Sequence, residues 1–190
     1  MSDTLRTALL FLIDTVFNLY LFILIIRVIL AMGRANYFNP ITQFIVRFTD
    51  PLVKPLRKLI PNVKNVEIAT LLVIFAIEII KFFLIACISY GFPNLLGIPI
   101  LAIANSLSLL LQIFTYAIIL QAILSFLQPH SPLMSVLSQF NAPILHPFQR
   151  LVPPVGGLDL TAIPALISLQ LLGILLVSPL IAVGQGIAFS

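Results

Sequence analysis

Four long apolar stretches dominate this chain, and each is long enough to cross the hydrocarbon core of a bilayer. A transmembrane helix needs about 20 mostly apolar residues. The stretches run approximately over residues 8–32, 68–90, 98–126 and 161–183. The pattern therefore predicts an all-α membrane protein with four transmembrane helices.

Two shorter segments between the spans have the apolar spacing of an amphipathic helix. Positions i, i+3, i+4 and i+7 are apolar in both, as Ile41, Phe44, Ile45 and Phe48 and again as Leu133, Val136, Leu137 and Phe140. Segments so short and polar predict helices lying in the membrane interface, with helices packed under the bundle as the alternative. We expect Pro51 and Pro55 to end the first of them, because proline lacks a backbone donor.

The chain is organised as two tandem copies of one unit, residues 1–94 and 95–190. Proline and charged positions recur at a constant offset of 92, so that Pro51, Pro55, Lys58, Pro61 and Glu67 match Pro143, Pro147, Arg150, Pro153 and Asp159. Upstream the offset is 94, which pairs Asn18 with Gln112 and Arg27 with Gln121. Each copy contains a span, a proline-rich loop with its amphipathic helix, and a second span. The copies are therefore predicted to be parallel, related by an axis along the membrane normal.

Composition and charge agree with a membrane protein and give it an orientation. With 61% hydrophobic and 8% charged residues, the chain has too few polar groups to cover a water-soluble surface. Most basic residues lie between the first two spans, so the positive-inside rule places both long loops in the cytoplasm and both termini in the periplasm. Lys54, Arg57, Lys58 and Lys64 in the first loop suit anionic lipid headgroups, and an ordinary solvated loop is the alternative.

Ionisable residues inside the spans are functional candidates because inserting them into lipid is unfavourable. Glu78 and Lys81 are three residues apart in the second span, so they share a helix face and can neutralise one another. Asp14 has a similar depth in the antiparallel first span, which makes an Asp14, Lys81, Glu78 cluster possible. Arg27 is near the loop end of its span and is expected to reach the headgroups without a buried partner.

The matching positions of the second copy are polar but uncharged. Glu78 corresponds to Gln170, as Arg27 does to Gln121 and Asn18 to Gln112. One interpretation is an ion or proton path between the halves, lined asymmetrically by these groups. The other is hydrogen bonding between helices, which contributes on the order of 1 kcal/mol per contact.

The motifs around the prolines resemble the YggT family, also called YlmG. They are, in order, Arg27, Asn39-Pro40, Phe48, Asp50-Pro51-Leu52, the run from Pro55 to Pro61, and Glu67. The second half is similar to another copy, from Gln121 to Phe126, at Ala142-Pro143, from Pro147 to Pro153 and from Gly156 to Asp159. Two features depart from the pattern: Gln121 replaces the expected arginine, and the glycine pair before Glu67 is absent.

The resemblance implies a bacterial inner-membrane protein linked to osmotic tolerance and potassium homeostasis. Plastid members of the family are linked to nucleoid distribution and cytochrome assembly. These roles fit a membrane scaffold or assembly factor about as well as a small transporter. A scaffold or assembly factor, acting with another membrane protein or as a homo-oligomer, is the leading hypothesis. A small potassium or proton transporter, acting as an oligomer, is the alternative.

No sequence motif of an enzyme accompanies these features. The chain has no phosphate-binding loop, no dinucleotide fingerprint and no His-Glu-x-x-His pair. His130 and His146 are sixteen residues apart in the second loop and are interpreted as interfacial histidines, with metal or haem ligation as the alternative. We therefore expect a non-enzymatic protein with no metal, no cofactor and no direct contact with nucleic acid.

Overall fold

Four helices in the computed structural model are long and apolar enough to cross a membrane. The structure describes residues 3–32, 40–61, 67–89, 91–128, 131–150 and 161–189. The four spans are α1 (Asp3–Met32), α3 (Ile68–Ser89), α4 (Gly97–Leu127) and the helical stretch Ala162–Ala188. The predicted all-α fold class with four spans is confirmed, although α1 begins five residues before the predicted limit.

The last span is a continuous helical stretch with a local change of winding. It consists of α6 (Ala162–Leu172), a π-helical segment (Gly173–Val177) and α7 (Ser178–Ala188). A π segment inserts an extra residue into the winding of a helix and is often found at functional sites. The faces of α6 and α7 are therefore rotated relative to an uninterrupted α-helix.

Two amphipathic helices of equal length lie beside the spans at one end of the bundle. They are α2 (Pro40–Arg57) and α5 (Pro132–Gln149), each of 18 residues. α2 packs against α1 and α3, and α5 packs against α4 and α6. The predicted apolar stripe of α2 is divided, because Ile45 is buried whereas Phe44 and Phe48 are exposed. One face of α2 thus joins the bundle, while the other presents aromatic rings to the surroundings.

The prediction that Pro51 and Pro55 end the first amphipathic helix is wrong. Both lie inside α2, and Pro143 and Pro147 lie inside α5. An interior proline opposes helix formation by about 3 kcal/mol. Tertiary contacts outweigh this cost, since Thr49 and Val53 of α2 are completely buried. Side chains also support the turn before Pro51, where Thr49 Oγ1 donates to the carbonyl of Ile45 at 2.7 Å.

The first span of each half holds its amphipathic helix through the same aromatic contact. Tyr20 and Phe48 have ring centroids 5.7 Å apart, and the rings of Phe114 and Phe140 are 5.5 Å apart. These four residues occupy matching positions of the two predicted copies. The duplication stays a prediction, and the recurrence of this contact supports it.

α4 and α7 approach each other closely at Gly97, where an added Cβ would overlap the backbone of Ala188. We expect Gly97→Ala to lower the free energy of unfolding by about 1–3 kcal/mol, because overpacking forces the helices apart. Thermal unfolding in lipid nanodiscs measures the change. Gly186→Ala is the control, since its Cβ would meet nothing within 4 Å. Equal losses in the two variants would contradict the close approach.

Candidate functional site

A buried ion pair lies within the third helix of the fold, far from either end. Lys81 Nζ is 2.8 Å from Glu78 Oε2, and the two side chains are 1% and 0% exposed. Their spacing of one helical turn allows the contact without bending α3. The ion pair predicted from this spacing is therefore present.

Two asparagines from neighbouring helices complete this pair, and together the four residues are called the α3 cluster. Lys81 Nζ donates to Asn18 Oδ1 of α1 at 2.8 Å. Asn105 Nδ2 of α4 donates to Glu78 Oε1 at 2.7 Å. The α3 cluster thus connects three spans, and α4, from the second half, covers the carboxylate of the first.

Asn18 takes the place that the sequence predicts for Asp14. Asp14 is exposed, and within the described residues it forms no ion pair with Lys81. Asp14 and Asn18 are one turn apart on α1 and share a helix face, and it is Asn18 whose side chain reaches Lys81. Asn105 was not among the predicted residues, because the rotation of α4 about its axis decides which of its faces meets α3.

A second buried network, the Arg27 network, lies where α1 meets α2 and the start of α3. Arg27 is 3% exposed. Its Nε lies 2.8 Å from Glu67 Oε2, and its Nη1 lies 2.9 Å from Asp50 Oδ1. Nη1 also donates to Thr49 Oγ1 at 2.7 Å. The expectation that Arg27 reaches the headgroups without a buried partner is wrong, because α2 folds over the arginine and supplies Asp50, and Glu67 before α3 supplies a second anion.

Two exposed cations and one buried hydroxyl complete the Arg27 network. Lys54 Nζ is 2.9 Å from Asp50 Oδ2, Arg57 Nη1 is 3.3 Å from Glu67 Oε1, and Thr70 Oγ1 donates to Glu67 Oε2 at 2.8 Å. Lys58, which was predicted alongside them, is exposed. The network therefore ties α1, α2 and α3 together at this end of the bundle.

The environment of the two carboxylates favours their charged forms. Burial raises the pKa of Glu67, but hydrogen bonds from Arg27 and Thr70 and the charges of Arg27 and Arg57 outweigh it and leave the pKa below its ordinary value. Burial likewise raises the pKa of Asp50, and Lys54 and Arg27 lower it further than burial raises it. A lowered folded-state pKa contributes stability at neutral pH that is lost as the pH falls through the folded value.

The second half has an uncharged counterpart of the Arg27 network. Asn141 Nδ2 of α5 donates to Gln121 Oε1 of α4 at 2.7 Å. In the predicted copies Gln121 matches Arg27, and Asn141 matches Thr49, which accepts from that arginine. Both halves therefore connect their first span to their amphipathic helix at the same position. The first half uses the charged side chain of Arg27, and the second half uses the neutral amides of Gln121 and Asn141.

A half-polar groove of about 390 Å³ runs between α4 and the last span, and it is called the α4/α7 groove. Its polar lining is Ser108, Gln112, Thr115, Tyr116, Gln170 and Ser178. Gln112 Nε2 donates to Ser108 Oγ at 3.2 Å. Gln170 is exposed, and its side chain has no hydrogen-bond partner among the described residues.

The α4/α7 groove occupies the position in the second half that the α3 cluster occupies in the first. Gln112 and Gln170 match Asn18 and Glu78, and Gly173 in the groove matches Lys81. Replacing a lysine by a glycine removes the side chain that fills this space. An added Cβ at Gly173 would meet nothing within 4 Å. The site is thus closed in the first half and open in the second.

The remaining predicted residues lie at the surface or outside the described ranges. Exposed residues are Pro51, Pro55, Pro61, Pro143, Pro147, His146 and Arg150. Lys64, Pro153, Asp159 and His130 are outside the described residues. The described residues contain no group of three or more histidine, cysteine, aspartate or glutamate side chains that could hold a metal ion.

A family model and several bacterial proteins match the chain. The CCB3/YggT family model matches residues 6–88 and 100–180. An uncharacterized protein of Pseudomonas aeruginosa is 37% identical over 182 residues, which cover 94% of this chain and 92% of that protein. The uncharacterized protein YggT of Escherichia coli K12 is 36% identical over 154 residues, 78% of each chain. No solved structure matches the chain significantly.

Proposed function

Since the chain belongs to the CCB3/YggT family, we propose that it is a non-enzymatic scaffold or assembly factor of the bacterial inner membrane that serves envelope and osmotic homeostasis. The α4/α7 groove carries this proposal. Gln112 and Gln170 lie in spans, where lipid offers them no hydrogen-bond partner. A helix from another subunit can satisfy them, and amide hydrogen bonds are a known means of joining helices in membranes.

The charges of the first half support a structural role for that half. In the α3 cluster and the Arg27 network, each buried charge faces an opposite charge at 2.8–2.9 Å. Such arrangements hold helices together, and each buried charge is compensated by an opposite charge in contact with it. The first half therefore serves as the rigid part of the scaffold, and the second half carries the binding surface.

The exposed cations at the carboxyl end of α2 and just after it support the proposed orientation. Lys54, Arg57 and Lys58 are exposed at the end of the bundle where the amphipathic helices lie. Cations flanking spans favour the cytoplasmic side and bind anionic lipid headgroups. We place α2 and α5 at the cytoplasmic surface and both termini in the periplasm.

Removing both groove amides tests the scaffold role in cells. We expect the double variant Gln112→Leu, Gln170→Leu to accumulate in the membrane like the wild type, because both side chains are exposed. The variant is expected to fail to restore growth at high osmolarity to a strain that lacks the protein. Gln185→Leu is the control, since this exposed glutamine of α7 lies outside the groove lining. Full restoration by the double variant would overturn the proposal.

Ion transport by an oligomer is the second candidate function, and the buried α3 cluster favours it. A carboxylate and an ammonium deep within a span can relay a proton or bind a cation. Purified protein in liposomes should then move potassium or protons, and Glu78→Gln with Lys81→Met should abolish that flux. Flux that survives both substitutions would exclude the cluster as the path.

A further inference from the structure

We propose that the chain assembles head to tail, with α1 of one copy seated against the α4/α7 groove of the next. This inference rests on the proposed function, since it names the occupant of the binding surface. It follows from a comparison between the two halves of the molecule.

The first half shows what covers this site when the site is complete. Asn105 of α4 donates to Glu78 at 2.7 Å, so the helix that covers the first-half site is α4. In the predicted duplication α4 is the counterpart of α1. The spatial relation that carries the first half onto the second also carries α4 onto the next first span. Repeating this relation therefore places the α1 of another copy against the last span. The α1 of the same chain packs instead against α2, α3 and α4.

The contacts that recur in both halves justify this comparison. Arg27 donates to Thr49, and Asn141 donates to Gln121, at matching positions and nearly equal distances of 2.7 Å. The contact of Tyr20 with Phe48 recurs in the same way as the contact of Phe114 with Phe140. The halves thus share their internal packing and differ in whether the site on the second span is covered.

α1 has an exposed surface suited to this role. Phe11, the counterpart of Asn105, is 72% exposed. Leu12 next to it is 59% exposed, and Leu19, about two turns further along α1, is 64% exposed. The ring of Phe11 can enter the space that Gly173 leaves without a side chain. Such a contact would bury apolar surface of both copies and exclude lipid from the amides.

Asp14 adds a polar complement to this apolar surface. It lies one turn from Phe11 on α1 and is exposed within a span. A carboxylate accepts hydrogen bonds and the groove amides donate them, and this charge-assisted type is the stronger kind. A second copy of this chain therefore brings the Asp14 carboxylate, a hydrogen-bond acceptor, to the amide donors of the α4/α7 groove.

Because α1 and the groove are different surfaces, the contact is heterologous. Repetition of a heterologous contact gives either a closed ring or an extended row. All copies keep the same orientation in the membrane, since the two halves are predicted to be parallel. The osmotic role would then belong to the assembly rather than to the single chain.

Disulfide formation between two differently tagged copies in native membranes tests this arrangement. Both copies carry Cys87→Ser, which removes the single cysteine. One copy carries Phe11→Cys and the other Gln170→Cys, the counterparts of the contacting residues Asn105 and Glu78. We expect oxidation to give a disulfide-linked species with both tags. Because each copy has one cysteine, that species forms only between molecules.

Phe11→Cys paired with Leu175→Cys is the matched control. Leu175 lies five residues after Gln170, is 73% exposed and does not line the groove. No linked species for the groove pair, or equal amounts for both pairs, would overturn the head-to-tail contact. If the groove double variant fails to restore growth but no link forms, the scaffold role stands with another occupant. A link without any growth defect would instead reject the scaffold role.

Discussion

Lys81→Met is expected to remove most of the folded protein from the membrane. The substitution leaves the Glu78 carboxylate buried among apolar side chains with Asn105 as its hydrogen-bond donor. Removing one partner of a buried ion pair destabilises a protein by about 3–5 kcal/mol. The amount of protein in the membrane fraction and its thermal unfolding in nanodiscs measure the loss.

Two further variants identify the ion pair as the cause of that loss. Glu78→Gln combined with Lys81→Met is expected to recover most of the stability, because glutamine is neutral and keeps an oxygen for Asn105. Lys58→Met removes an exposed lysine and is expected to have little effect. A double variant as unstable as the single one would show that Lys81 acts through its packing instead.

Arg27→Ala is expected to destabilise the protein by a similar amount, about 3–5 kcal/mol, because it leaves two carboxylates of the Arg27 network without their buried cation. Asp50 keeps Lys54, whose side chain is 70% exposed, and Glu67 keeps Arg57, which is 48% exposed. Solvent weakens both of these remaining pairs. α2 should therefore detach from α1, which hydrogen exchange of the α2 amides measures.

The second half provides the control for this prediction. Gln121→Ala removes the matching contact to Asn141, which is a neutral hydrogen bond of about 1 kcal/mol. We expect a smaller loss there and faster exchange in α5 alone. Equal losses for Arg27→Ala and Gln121→Ala would show that the charges of the Arg27 network add nothing to the hydrogen bonds.

The spans and the ion pair of α3 were predictable because each depends only on residues that are close together in the sequence. Twenty apolar residues specify a span regardless of its neighbours. Glu78 and Lys81 meet because both lie on one helix, whose geometry fixes their separation. The four spans are confirmed, and the spacing argument for the ion pair agrees with the 2.8 Å contact.

The partners supplied by other helices were not predictable in the same way. Asn18 and Asn105 reach the α3 cluster because of how α1 and α4 are rotated about their axes, which hydropathy does not determine. The partners of Arg27 were missed because they come from α2 and from the residue before α3. Their proximity requires the loop to fold back against α1. The recurrence of Thr49 as Asn141 was the available signal, since a polar residue is kept in both copies.

The proline rule failed for a related reason. Local propensity predicts that Pro51 and Pro55 end a helix. α2 continues because Ile45, Thr49 and Val53 bury one of its faces, and this burial depends on neighbouring helices. Propensity is a weak guide wherever tertiary contacts decide the outcome.

The placement of both charges of the α3 cluster on one helix has a consequence for biogenesis. α3 can leave the translocon with its acid and its base already paired, so its insertion need not wait for α1 or α4. The guanidinium of Arg27 gains Asp50 and Thr49 as partners only after α2 has settled against the membrane. Insertion of the hairpin and docking of the amphipathic helix are thus separable events, and a ribosome-bound intermediate that has completed only the first should already resist alkaline extraction.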